Sequence, residues 1–156
     1  MFRSILLAST LIAPLAAQAE DQAAWQSNCQ NGSCTLVRSV AESGTDRTVA
    51  TFIVALSKTH ETARVGVALP LGTALDAGVR MIVGDKTLNV PFQVCFPDGC
   101  RATADADSAT LAALTGAAAV QVQFFPFSSD KPVAVDVPMS GLAEAIAAAR
   151  TALTQP

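Results

Sequence analysis

The stretch that decides the fold runs from Thr48 to Leu69 and reads TVATFIVALSKTHETARVGVAL. Its first part, Thr48–Leu56, alternates in part between apolar and polar residues and then becomes continuously apolar. Its last part, Ala63–Leu69, alternates throughout, with Val65, Val67 and Leu69 on one face and Arg64, Gly66 and Ala68 on the other. A period of two residues is typical of a half-buried β-strand, so this stretch predicts two neighbouring strands.

Similar short apolar runs recur on both sides of this stretch, separated by turn-forming residues such as Gly84-Asp85. They predict strands over Thr35–Ala41, Gly78–Val83, Thr87–Phe96, Val120–Phe125 and Val133–Val137, and Pro91 inside the third indicates an edge strand or a bulge. A short helix capped by Asp107 or Ser108 and a C-terminal helix over Leu142–Leu153 complete the pattern. The sequence therefore predicts a mainly β fold: a small β-sandwich or barrel-like domain with two short helices, one of them C-terminal.

The N-terminus has the three parts of a cleavable secretory signal. Arg3 supplies the positive charge, Ile5–Ala17 is apolar, and Ala17-Gln18-Ala19 is a small-x-small cleavage site. We expect residues 1–19 to be removed and residues 20–156 to form one exported domain, periplasmic or secreted, with outer-membrane association as a further option. The formal net charge of the chain is −3, which offers no basic surface for nucleic acid, and no transmembrane segment is expected after signal cleavage.

The four cysteines form two pairs of equal spacing, Cys29 with Cys34 and Cys95 with Cys100. An even count in an exported chain indicates disulfides, although four cysteines allow three connectivities. Each pair brackets a turn-prone tetrapeptide, Gln30–Ser33 or Phe96–Gly99, which favours pairing within each turn. A zinc site and a redox role stay open as alternatives, but an oxidising compartment disfavours zinc and no C-x-x-C motif is present.

The residues that could carry catalysis have simpler interpretations. His60 is the only histidine and falls in a predicted loop, and Asp105 and Asp107 precede a helix that one of them can cap. Trp25, and Phe125 with Phe127, are interpreted as core residues, with an exposed binding patch as the alternative for the two phenylalanines. We therefore expect no catalytic residues, no metal ligands and no cofactor.

The second cysteine turn is the one candidate contact surface. Phe96, Asp98 and Arg101 place an aromatic ring, a carboxylate and a guanidinium at one pinned tip, and aromatic and Arg residues are enriched among interface hot spots. The alternative is a hairpin stapled for stability only, with Phe96 turned into the core.

The order of several segments resembles the invasion-associated locus B family of exported proteins from Gram-negative, mainly alphaproteobacterial, species. The resemblance covers about Trp25 to Leu153 and is carried by Leu69-Pro70-Leu71-Gly72, Cys95–Ala102 and Val137–Leu142. It implies a mainly β fold and an envelope location, and it brings no known catalytic residues. The expected function is a non-enzymatic binding or structural role towards an unknown protein or envelope component, and the alternative is a periplasmic hydrolase or thiol oxidoreductase.

Overall fold

The computed structural model describes residues 24–59 and 62–155. The predicted signal peptide and His60 lie outside the described residues. The described elements follow one another along the chain as β1 Gln26–Gln30, β2 Ser33–Ala41, β3 Thr48–Ser57, β4 Ala63–Leu69, β5 Val79–Val83, β6 Lys86–Val90, β7 Phe92–Phe96, β8 Gly99–Ala106, α1 Ser108–Gly116, β9 Ala119–Phe124, β10 Val133–Pro138 and α2 Leu142–Thr154.

The strands form two antiparallel sheets. One has six strands in the order β1-β2-β3-β4-β8-β7, and the other has four in the order β10-β9-β5-β6. Both sheets are open, with β1 and β7 as the edges of the larger sheet. The predicted mainly β, sandwich-like fold is confirmed, and the fold is not a closed barrel.

The core lies between the sheets and is built by the alternation seen in the sequence. In β4 the side chains of Val65, Val67 and Leu69 are buried, and in β3 Phe52 and Val54 are fully buried. β3 and β4 are central strands of the larger sheet, so each is paired with a strand on both sides, and their apolar side chains lie in the core. Each Å² of buried apolar surface contributes about 25 cal/mol to the stability of the fold. The stretch that predicts the fold supplies several of the fully buried side chains.

The prediction of one strand over Thr87–Phe96 is wrong, because the chain changes sheets at Pro91. β6 pairs with β5 in the smaller sheet, whereas β7 pairs with β8 in the larger one. Proline has no N–H for a ladder and therefore fits at this corner. Both strands are edge strands and the β7 register shifts between Phe92 and Val94, so the edge and the bulge that Pro91 indicates are both present.

Both predicted helices are confirmed. Asp107 caps α1, its Oδ1 accepting from the backbone N–H of Thr110 at 2.7 Å. α2 buries one face against β1, β2 and β3, through the four residues whose spacing is helical, Leu142, Ile146, Ala149 and Leu153. Neither of the helices in the described part of the chain is long and apolar enough to cross a membrane.

The start of the described chain is fastened to the turn before α2 through the carbonyl of Ser140. Trp25 Nε1 donates to this oxygen at 3.1 Å, and Arg38 Nη1, from β2, donates to it at 2.8 Å. The Trp25 ring also meets the Phe52 ring edge-on, with the centroids 6.1 Å apart. Trp25 is half-buried and packs against the core, as expected.

Disulfides join Cys29 to Cys34 and Cys95 to Cys100, which is the pairing that the turns favour. Each bond links residues that face each other in a hairpin, β1–β2 or β7–β8. Since β1 and β7 are the two edges of the six-stranded sheet, each bond ties an edge strand to its inner neighbour.

Candidate functional site

The tip of the β7–β8 hairpin brings the three predicted contact residues together. Arg101 Nη2 donates to Asp98 Oδ2 at 2.6 Å, and the guanidinium carbon lies 5.8 Å from the centre of the Phe96 ring. Phe96 is 49% exposed and does not turn into the core. The Arg101 guanidinium and the Phe96 ring thus form a cation–π interaction, while the ring stays exposed to solvent.

Gly99 positions this tip against the neighbouring strand. Its φ is 138°, and a Cβ at this position would collide with the carbonyl oxygen of Leu69. A side chain here would push the hairpin away from β4, so glycine is required for the close approach. Leu69 leads directly into the loop over residues 70–75, which places that loop beside the hairpin tip.

A second loop, over residues 125–127, completes this end of the molecule. Phe127 N–H donates to Gly72 C=O at 2.7 Å, and Ala74 N–H donates to Phe125 C=O at 2.8 Å. These bonds hold the two loops side by side with apolar side chains outside: Phe127 is 75% exposed and Leu71 58%. The interpretation of Phe127 as a core residue is therefore wrong, because its position follows Pro126, where β9 has ended.

We call five side chains of the hairpin tip and the two loops the end surface: Leu71, Phe96, Asp98 and Phe127, which are exposed, and Arg101, which is half-buried. The sequence singled out three of these residues as a contact site, gave an exposed binding patch as the alternative for Phe127, and did not single out Leu71. A usable signal was present for Leu71, since it is a large apolar residue inside a proline- and glycine-containing loop, where a core strand cannot continue.

The two cysteine turns do not form a joint site. Lys58 N–H, just after β3, donates to Gly32 C=O at 2.9 Å, which places the first turn at the end of β3. The second turn abuts Leu69, at the far end of the antiparallel strand β4. The turns therefore lie at opposite ends and opposite edges of the larger sheet.

The acidic pair before α1 has structural partners. Asp105 Oδ1 accepts from Arg64 Nε at 3.1 Å. Hydrogen bonds from the Thr110 side chain and then its backbone N–H hold the pKa of Asp107 below its ordinary value of 3.8. Among the described residues, no three Asp, Glu, His or Cys side chains are grouped so as to hold a metal ion.

Comparisons with known proteins show the family of this mainly β sandwich. The family model described as invasion associated locus B (IalB) protein matches residues 11–150. This chain belongs to the IalB family. The crystal structure of invasion associated protein B from Bartonella henselae is similar in fold, with a TM-score of 0.75 and 19% identity, and the match covers 87% of this chain and 98% of that chain. A comparison with curated proteins gave no significant match.

Proposed function

We propose that this IalB-family protein is exported to the cell envelope and acts there by binding a partner through its end surface, without catalysis. The single observation that carries the proposal is the exposed aromatic and aliphatic end surface, built on loops that backbone hydrogen bonds and a disulfide hold in place. The partner is expected to be another envelope component.

Export is supported by several independent features. The N-terminus has a signal-peptide pattern with cleavage before Glu20. Two disulfides are typical of proteins that fold in an oxidising compartment. The IalB resemblance itself implies an envelope location.

The binding role is supported by the energetics of the end surface. Exposed large apolar side chains lower the solubility of a protein and contribute little to its stability. A group of them at one end of the molecule therefore indicates a surface that binds another molecule. Pinning by Cys95–Cys100 and by the Phe127–Gly72 bond reduces the ordering cost of binding. Aromatic and Arg side chains are also the types that contribute most at interfaces.

Co-purification from envelope extracts tests the contact. The purified protein should recover one or more partners, and Phe96→Ala, Phe127→Ala and Arg101→Ala should each reduce their yield. Truncation of a hot-spot residue typically costs about 2 kcal/mol or more, which is roughly a thirtyfold loss of affinity.

Two matched control variants separate contact from folding. Val133→Ala truncates an exposed apolar residue on the edge strand β10, and Arg64→Ala removes another surface arginine that pairs with a carboxylate. Both controls should recover the partners at the wild-type yield, and all variants should melt like the wild type. If the three end-surface variants recover the same partners as the controls, the end surface is not the interface.

Location and processing are tested separately. Protein isolated from the native envelope should begin at Glu20 or within a residue or two of it, and fractionation should place it outside the cytoplasm. An intact N-terminus at Met1 in a membrane fraction would contradict export by a cleaved signal. The enzyme alternative depends on His60 or on a redox role of the cysteines, and no observation in the described residues favours it.

A further inference from the structure

A recess of about 260 Å³ lies between the β5–β6 hairpin and α1. Its floor belongs to the hydrophobic core, because Met81 and Leu114 are each only 1% exposed. Val83, Leu88 and Ala113 form apolar walls, and Lys86, Thr87 and Thr110 supply the polar groups. Protein interiors are normally packed without voids larger than a water molecule, so a recess of this size that reaches the core is a candidate ligand site.

The recess exists because the α1 residue that faces it, Ala113, has a small side chain. α1 has the sequence SATLAALTG and fully buries only Leu114, while Ala113 faces the recess with a single methyl group. A larger residue at 113 would fill the space and remove the cavity. The recess also lies away from the end surface, since β5 starts after the 70–75 loop and reaches the recess with its far end.

The size and the charge of the recess limit what can occupy it. Pockets for drug-sized ligands are typically about 300–1,000 Å³, so this recess suits a smaller molecule. Lys86 is the one charged residue that lines it in the described part of the chain. Two carboxylates are near Lys86: Asp85 precedes it in the turn, and the charge of Lys86 helps to lower the pKa of Asp107, the residue that caps α1. The Asp107 carboxylate itself accepts from the Thr110 amide and lines a different depression, between α1 and α2.

We infer that this recess binds a short aliphatic monocarboxylate, with its chain on Val83, Leu88 and Ala113 and its carboxylate at Lys86. The hydroxyl of Thr87 can donate a hydrogen bond to the same head group, whereas the Thr110 side chain is already hydrogen-bonded to Asp107. This site is independent of the end surface and of the proposed binding function.

Octanoate is the first probe, followed in an NMR titration of the ¹⁵N-labelled protein. Saturable shifts are expected at the amides of β6 and α1 around Leu88 and Leu114, with affinity in the millimolar range. Octan-1-ol has the same chain without the charge, and octylamine reverses the charge. Octylamine should bind more weakly than octanoate because its ammonium group would face Lys86.

Three variants give the proposal its sharpest test. Ala113→Phe should fill the recess and abolish the shifts, whereas Ala112→Phe, at an exposed position on another face of the same helix, should bind like the wild type. Lys86→Gln should weaken octanoate about two- to fivefold, the effect of losing one exposed charge pair, and leave octanol unchanged. If Ala113→Phe does not fold, Ala113→Leu serves as the smaller filling variant.

Several results would overturn the proposal. One is the absence of saturable shifts, or shifts that map to the end surface instead. Another is undiminished binding by a folded Ala113 variant with a filled recess. An octanoate affinity that Lys86→Gln does not change would refute a carboxylate ligand. Concentration-dependent shifts of the same amides without any probe would mean that a second copy of the chain fills the recess.

Discussion

Removing either disulfide should destabilise the protein by the same amount. The perturbations are the double variants Cys29→Ala with Cys34→Ala, and Cys95→Ala with Cys100→Ala. The two bridges are matched in loop length, since both span a sequence separation of five. They are also matched in environment, because the inner cysteine of each pair is buried and the outer one is exposed. Each double variant is therefore the control for the other.

The expected magnitude follows from loop closure. Opening a six-residue loop in the chain-entropy model costs about 2 kcal/mol at 25 °C. For a domain of this size, a loss of about 2 kcal/mol lowers the melting temperature by roughly 5–10 °C. Both variants should remain folded, because the bridges constrain the unfolded chain and each variant changes only one buried residue, Cys34 or Cys100, to the smaller alanine.

Urea unfolding followed by tryptophan fluorescence measures the effect. Trp25 is the only tryptophan and packs edge-on against Phe52 in the core, so its emission reports whether β1 and the larger sheet have separated. Hydrogen exchange adds a local readout: amides of β1 should exchange faster in one variant and amides of β7 in the other. If one double variant were as stable as the wild type while the other lost far more than predicted, loop closure would not be what the bridges contribute.

Substitutions at three further positions test individual contacts of the fold. Arg38→Met should cost about 1.5–3 kcal/mol in urea unfolding, the range for a hydrogen bond to a charged group, because it removes the donor to Ser140 C=O. Gly66→Ala should destabilise by about 1–3 kcal/mol, since the new methyl group meets a carbonyl oxygen of β8, and unchanged stability would contradict the tight β4–β8 contact. Asp107→Ala should lower the melting temperature at neutral pH, whereas Asp107→Asn should retain most of the cap. Folding lowers the pKa of Asp107, so its ionised carboxylate stabilises the fold above pH 3.8. This stabilisation is lost as the pH falls through the folded-state pKa. The wild type should therefore lose more stability below pH 3.8 than the Asn variant.

The strands with a clear period of large apolar residues were predictable from the sequence, and the strands without such a period were not. β4 has the predicted bounds, Ala63–Leu69, because strict alternation follows from burial on one side. β1 reads QSNCQ and is exposed throughout, so it has no apolar period to detect. β8 fills its buried positions with alanines such as Ala102 and Ala106, which carry little strand signal.

The missing strands had an indirect signal in the cysteines. A disulfide that brackets a two-residue turn requires the chain on both sides to run antiparallel, as in a hairpin. Taking Cys29–Cys34 and Cys95–Cys100 as hairpin staples would have predicted a strand on each side of both turns, including β1 and the start of β8. The disulfide pairing thus predicts which segments are neighbouring antiparallel strands, and hydrophobic periodicity does not.

The placement of the staples explains why this fold can tolerate such weak edge strands. An edge strand is hydrogen-bonded on one side only, and β1 has no buried side chain to hold it in place. The disulfide to the inner neighbour β2 compensates for the missing packing and keeps β1 attached to the sheet. If β1 separated, the unpaired edge of β2 would be exposed to other chains. The same device at β7 has a second consequence, because it fixes Phe96 and Arg101 at the tip of the hairpin. Stability at one edge and a fixed hairpin tip at the other then follow from a single arrangement, two cysteines across a tight turn.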